Sequence, residues 1–138
     1  MRKSRPAGKR TNKPRSRRAR TSSIAIKRAY DPPAPQDGLR ILIDRLWPRG
    51  LSKTKLKLDA WPRELTPSTA LRKWYGHKPE RFAEFRRRYL TELAQQRDRL
   101  DDLRAMVKGR SATLITATRE LQLSHAEVLR GLLQRKKG

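Results

Sequence analysis

The chain contains no cysteine. That absence excludes disulfides, thiolate catalysis and cysteine-bound metals. Histidine is almost as scarce, with only His77 and His125 present. A zinc site would have to be completed by carboxylates, so no metal and no cofactor are expected. No apolar run approaches the roughly 20 residues that a membrane span needs, and no membrane partner is expected. The N-terminal stretch lacks the apolar segment of a secretory signal, so Arg17-Arg18 does not read as an export motif. It is Arg- and Ser-rich like an organellar presequence, but it is not amphipathic. A cytoplasmic location is the resulting expectation.

Acidic residues are also few. The 138 residues carry 36 Lys and Arg against 13 Asp and Glu, a formal charge of +23. The imbalance is concentrated at one end. Residues 1–23 hold seven Arg and three Lys, with no acid, no aromatic and no large apolar side chain beyond Met1. Such a segment has nothing with which to build a core and is predicted to be a disordered basic tail. Residues 24–138 remain, enough for a single domain with one core.

Within that part, Ile24 to Tyr30 alternates weakly and reads as a first strand. Asp31-Pro32-Pro33-Ala34-Pro35-Gln36-Asp37-Gly38 reads as a rigid loop. Leu39 to Leu46 reads as a second strand, whose Ile41-Leu42-Ile43 run is apolar on both faces, as in a strand covered from both sides. Leu58 to Leu65 suits a short helix with Asp59 as N-cap and Pro62 in its first turn. Ser68 caps a second helix that carries Leu71, Trp74 and Tyr75 and stops at Gly76. Pro79 opens a longer helix with Phe82, Phe85, Tyr89 and Leu93 on one stripe. Leu100, Leu103 and Val107 continue a similar stripe, with a break expected near Gln96-Arg97. Ala112 to Ala117 is the third strand, and Ser124 caps a last helix that buries Ala126, Val128, Leu129, Leu132 and Leu133. A strand followed by a helix at the C-terminus indicates a small α/β domain with a mostly parallel sheet of three or four strands flanked by helices.

The segment Asp44-Arg45-Leu46-Trp47-Pro48-Arg49-Gly50 carries the most chemistry. An apolar strand runs directly into an acid, two arginines and a tryptophan before its Pro/Gly turn. Together with Ile26-Lys27-Arg28, Tyr30-Asp31-Pro32-Pro33, Asp37-Gly38, Leu71-Arg72-Lys73-Trp74, Gly76-His77, Phe85-Arg86, Tyr89, Thr113-Leu114 and His125-Ala126, it resembles the YeaO-like family (domain of unknown function 488), a group of bacterial α/β proteins. The resemblance covers about residues 24–133. It implies that a crossover helix between the first two strands is reduced here to the Pro-rich loop. It also implies that all three strands are parallel, with their C-terminal ends on the one edge where open α/β folds bind ligands. Strand two would deliver Asp44, Arg45, Trp47 and Arg49 to that edge, strand three Thr116, Thr118, Arg119 and Glu120, and the last helix Ser124 and His125. Some wider members of the family carry Cys-His-Arg at the last position. Ser124 stands in place of that cysteine, so thiol chemistry does not carry over.

Each candidate residue has two readings. Asp44 is either a general base or one half of a structural ion pair. Arg45 and Arg49 either clamp a phosphate or carboxylate or close a surface turn. Trp47 and Trp61 are core or cleft walls before they are stacking platforms. His125, which a helix N-terminus would hold neutral, either transfers protons or holds the loop after strand two. His77 follows Gly76, where capping a helix end is its simplest role. Ser124 is an N-cap with a binding role beside it, and Arg119 completes the expected anion-binding set. Arg86-Arg87-Arg88 is either a solvated basic face or an extension of a nucleic-acid surface. In the tail, Arg15, Arg17, Arg18 and Arg20 can neutralise several phosphates, with no aromatic to stack a base, so only nonspecific DNA or RNA binding is expected. Two functions are compatible with this sequence. One is binding of an anionic small molecule at the strand edge, with nonspecific nucleic-acid affinity from the tail. The other is a metal-independent hydrolase or transferase in which Asp44 and His125 move protons on a phosphorylated or carboxylated substrate.

Overall fold

The structure is a computed structural model that describes residues 23–134. The expected tail, with Arg15, Arg17, Arg18 and Arg20, lies outside the described residues apart from its last position. Ser23 is not tail but the first residue of strand β1 (Ser23–Arg28). Strand β2 is Leu39–Leu42 and β3 is Ser111–Thr116. They form one sheet in the order β1-β3-β2, and both pairings are parallel. The α/β class and the parallel sheet of the sequence reading are both present. Strand β2 is four residues shorter than expected at its C-terminal end. Ile43 still donates to the Ile115 carbonyl at 3.0 Å, after which the chain turns away and leaves Leu46 exposed.

Ile41, Leu42 and Ile43 are fully buried. Successive strand side chains point to opposite faces, so this run is shared between two apolar clusters. Ile41, Ile43 and Leu114 join the main core under the helices. Leu42 and Ile115 join a smaller one with Ala29 and Leu56, sealed by Trp47, Leu51, Leu58 and Trp61. The main core is closed by α2 (Thr69–Tyr75), α3 (Phe82–Ala94), α4 (Arg97–Val107) and α5 (His125–Gln134). Helix α3 begins three residues later than Pro79 suggested, because Pro79–Arg81 forms a separate 3₁₀ turn. The break at Gln95-Gln96 adjoins the one expected near Gln96-Arg97.

The region between β2 and α2 differs from the reading. Its helix is α1 (Lys53–Leu56), capped by Ser52, whose hydroxyl accepts from Lys55 N. Asp59 is no N-cap. Its Oδ2 accepts from Arg40 N at 2.8 Å, and Ala60 pairs with Ile41 in a parallel bridge along the outer edge of β2. Edge strands leave backbone groups unpaired, and this segment satisfies them. Helical propensity around Pro62 loses to that demand, and only a 3₁₀ turn at Arg63–Leu65 remains.

The return from β1 to β2 takes the ten residues 29–38 and holds no more than a 3₁₀ turn at Pro35–Asp37. A polar knot replaces the crossover helix. The buried Asp37 carboxylate accepts from Lys27 of β1 at 3.0 Å, Arg40 of β2 at 2.6 Å and its own loop at Ala34 N. Its carbonyl accepts from Thr113 of β3 at 2.8 Å. Burial raises the Asp37 carboxyl, but these donors outweigh it and hold it below the ordinary carboxylate value. Gly38 makes the knot possible. It has φ +64°, and a Cβ there would sit 2.2 Å from the Ser111 carbonyl oxygen. Gly38→Ala is therefore expected to destabilise the fold by about 2–4 kcal/mol in urea unfolding. A loss under about 1 kcal/mol would mean that the crossover does not press on β3.

Candidate functional site

The parallel strands bring three chain segments to one edge: the residues after β2, those after β3, and the first turn of α5. They meet at Asp44. Its Oδ1 accepts from the Thr116 hydroxyl at 2.7 Å and faces His125 Nε2 at 3.0 Å. Its Oδ2 accepts from Ala117 N at 2.7 Å. Behind it, Trp61 Nε1 donates to the Asp44 carbonyl at 2.7 Å. Burial raises the carboxyl of Asp44, yet the hydrogen bond and charge of His125, with Ala117 N and the Thr116 hydroxyl, bring it below its ordinary value of 3.8. Asp44 is thus an ionised acceptor. Nε2 of His125 must carry hydrogen toward it, in a neutral hydrogen bond or an ion pair according to the proton on Nδ1.

Other contacts hold this arrangement from outside. Tyr89 is fully buried, packs edge-on to the His125 ring at 6.4 Å, and donates to the Leu65 carbonyl. Burial, with Glu92 and Asp44 nearby, pushes its hydroxyl far above the ordinary phenol range, so it stays protonated. Arg28 of β1 reaches the carbonyls of Ala117 and Thr118 and fixes the loop after β3. Ser124 occupies the N-cap position of α5 with extended backbone, and its hydroxyl donates to the Leu121 carbonyl at 2.7 Å. The Ser124 carbonyl accepts from Glu127 N.

A cleft of about 320 Å³ opens over the dyad. Asp44, Arg45, Trp47 and Arg49 line it from the segment after β2, Ala117 and Thr118 from the segment after β3, and His125 from α5. Arg72 of α2 and His77 complete it. Arg45 donates to the carbonyls of Thr66 and Pro67 at 3.4 Å each. Trp47 donates to the Leu51 carbonyl and meets Trp61 edge-on at 5.3 Å, so it is both core and cleft wall. Of the expected anion-binding set, Arg119 is exposed and lines neither this cleft nor the cavity beside it, and Ser124 lines only the latter.

Two cleft residues escaped the sequence reading as site candidates. Arg72 was one of two adjacent cations on a short helix, and only the docking of α2 decides which one faces the cleft. His77 was read as a cap. Gly76 is the left-handed C-cap, and His77 follows with its own φ of +58°, which carries it to the cleft wall. Helix α2 is itself seated by Glu92 of α3, whose carboxylate accepts from the Ser68 hydroxyl at 2.6 Å and from Ser68 N at 2.8 Å.

Charge pairing around the cleft is uneven. Elsewhere acids neutralise arginines locally: Glu84 pairs with Arg87 and Arg88, Asp101 with Arg104, and Glu127 with Arg130. Two of the three in Arg86-Arg87-Arg88 are thereby partly neutralised, as on a solvated face. Among the described residues no carboxylate pairs with Arg45, Arg49 or Arg72. Also among the described residues, no group of three His, Asp or Glu side chains is placed to hold a metal, and no helix is long and apolar enough to cross a membrane.

Comparison with known proteins places the whole described region in one family. A family profile described as the inactive DUF488-N3 subclade matches residues 23–137. The chain is 46% identical over 107 residues to the Uncharacterized protein YeaO of Escherichia coli, covering 78% of this chain and 93% of that one. It is 41% identical over 114 residues to the Uncharacterized protein Rv3073c of Mycobacterium tuberculosis, covering 83% and 96% respectively. No solved structure matches significantly.

Because the Asp44 carboxyl is depressed on folding, its contribution to stability is full above the ordinary value of 3.8 and is lost as pH falls through the lower folded value. Asp44→Asn puts an amide donor among three donors. It is expected to cost about 2–4 kcal/mol at pH 7. In urea unfolding at stepped pH, the gap between wild type and variant should narrow below pH 3.8. A gap that stays constant into acid would show that the carboxylate charge is not what holds the site.

Proposed function

The chain belongs to the DUF488-N3 family, in the subclade described as inactive, and on that premise we propose that its cleft binds an anionic small molecule. The observation that carries this reading is the set of three arginines, Arg45, Arg49 and Arg72, converging on one cleft without a carboxylate partner among the described residues. Guanidinium groups in a concave site favour phosphate or carboxylate through paired N–H donors. The oxygens of Asp44 are directed at Thr116, Ala117 and His125 and so do not pair with these arginines. For the same reason it is a poor general base. Its role in this reading is to hold His125 so that Nδ1, which has no hydrogen-bond partner among the described residues, is available to the ligand.

The basic tail adds a second, separable activity in this proposal, nonspecific affinity for DNA or RNA through Arg15, Arg17, Arg18 and Arg20. The support is charge alone. With no aromatic in residues 1–23, base stacking plays no part.

A metal-independent hydrolase or transferase is the second reading. Its support is that Asp44, His125 and Arg49 share one cleft, with carboxylate and imidazole 3.0 Å apart. An acid that orients a histidine through one nitrogen leaves the other able to move a proton. Against it stand the description of the subclade as inactive and the lack of any cysteine.

Calorimetric titration with inorganic phosphate is expected to show binding that weakens about tenfold in each of Arg49→Ala and Arg72→Ala. Phosphate binding that is absent in wild type, or untouched in both variants, would sink the anion-site reading. Turnover of a generic phosphomonoester by wild type and not by His125→Gln would instead favour the enzyme. For the tail, removing residues 1–22 should lower DNA affinity and flatten its salt dependence by several units of log–log slope, at about 0.9 per phosphate contact. An unchanged slope would rule the tail out.

A further inference from the structure

Beside the cleft lies a second cavity of about 170 Å³. The two share Arg72, His77, Thr118 and His125 in their walls, so they are adjoining chambers of one groove. Their chemistry differs. The cleft chamber adds Arg45 and Arg49 to the shared wall. The side chamber adds the apolar surfaces of Tyr75, Phe85 and Leu123, together with Lys73 and Ser124. Tyr75 donates its hydroxyl to the Leu123 carbonyl at 2.7 Å and stacks on Phe85 at 4.4 Å, so what remains of its ring for the chamber is apolar. Cations line both chambers, but only the side chamber has an aromatic and aliphatic floor, of a size to take one ring. A carboxylate is satisfied by one guanidinium fork, whereas three guanidinium groups without a carboxylate partner among the described residues, Arg45 also donating to the Thr66 and Pro67 carbonyls, match a dianion. Together the chambers fall in the usual size range of small-molecule sites, about 300–1,000 Å³.

We propose that the groove takes a phosphomonoester with an uncharged, ring-bearing body, the class of a nucleoside 5′-monophosphate, its phosphoryl group among Arg45, Arg49 and Arg72 and its ring in the side chamber beside Leu123. This rests on the anion-binding reading above and goes beyond it by naming the body attached to the anion. His125 and Thr118, on the shared wall, are placed to hydrogen-bond the portion that links phosphoryl group and ring. The same chemistry occurs in a free mononucleotide and at the 5′-phosphorylated end of a nucleic-acid strand.

The test is calorimetric titration of the full chain with inorganic phosphate, adenosine and adenosine 5′-monophosphate, repeated on Leu123→Trp, which fills the side chamber. The monophosphate is expected to bind at least tenfold more tightly than phosphate in wild type. Leu123→Trp should lose that advantage while keeping phosphate affinity, which also certifies its fold. If tryptophan unfolds the chain, the smaller Leu123→Phe takes its place. Equal affinity for phosphate and the monophosphate would overturn this inference and leave the anion site standing. Binding of neither would overturn both. A monophosphate advantage that survives in the Leu123 variant would place the ring elsewhere and also overturn the inference. Tetranucleotides with and without a 5′-phosphate separate the two sources, the unphosphorylated one measuring the contribution of the tail. A gain from the 5′-phosphate matching that of the mononucleotide supports strand ends, and no gain supports free mononucleotides.

Discussion

One carboxylate holds the strand edge together. Asp44 follows β2, yet its oxygens are shared by Thr116 and Ala117 at the end of β3 and by His125 at the start of α5. Three segments that are distant in sequence are thereby fixed within hydrogen-bond reach of one another. A partly buried carboxylate is stable only when its lone pairs are met, and here the donors come from two other elements. The cleft, the orientation of His125 and the path of the chain toward Arg49 all follow from satisfying that single charge. Trp61 extends the same logic to the smaller core by donating to the Asp44 carbonyl.

Asp37 does for the opposite end of the sheet what Asp44 does for this one. It joins Lys27 and Arg40, while its carbonyl takes Thr113. With acids so few in this chain, their placement is informative. One buried and one partly buried carboxylate tie the sheet at its ends, and three others pair with an arginine one helical turn away. The arginines that line the cleft are left outside that pairing, in a chain whose subclade is described as inactive.

Much of the architecture was legible because it rests on local rules. Ile41-Leu42-Ile43 announced a strand buried on both faces, Ser68 and Gly76 bracketed α2, and the stripe of Phe85, Tyr89 and Leu93 marked α3. The misreadings arose where a distant partner overrode local preference. Asp59 looked like a helix cap and was claimed by Arg40 N across 19 residues. Strand β2 was read through Leu46, but the demand of Asp44 for its donors turns the chain earlier. The helix at Lys53–Leu56 was missed because three of its four residues are Lys or Thr, with Leu56 alone to bury.

The sequence by itself determined the family, the three strands, most helix boundaries and the convergence of Asp44, Arg45, Trp47, Arg49 and His125, because strand ends and helix caps follow from periodicity and the resemblance supplies parallel order. Only the tertiary structure decided that Asp44 is consumed by three donors, that Arg72 and His77 enter the cleft while Arg119 stays outside, and that a second chamber adjoins it. The physical reason is that hydrogen-bond saturation and cavity shape belong to groups brought together from far apart in the chain. No local pattern encodes that Arg72 reaches the cleft chamber while its neighbour Lys73 lines only the side chamber once the helix has docked.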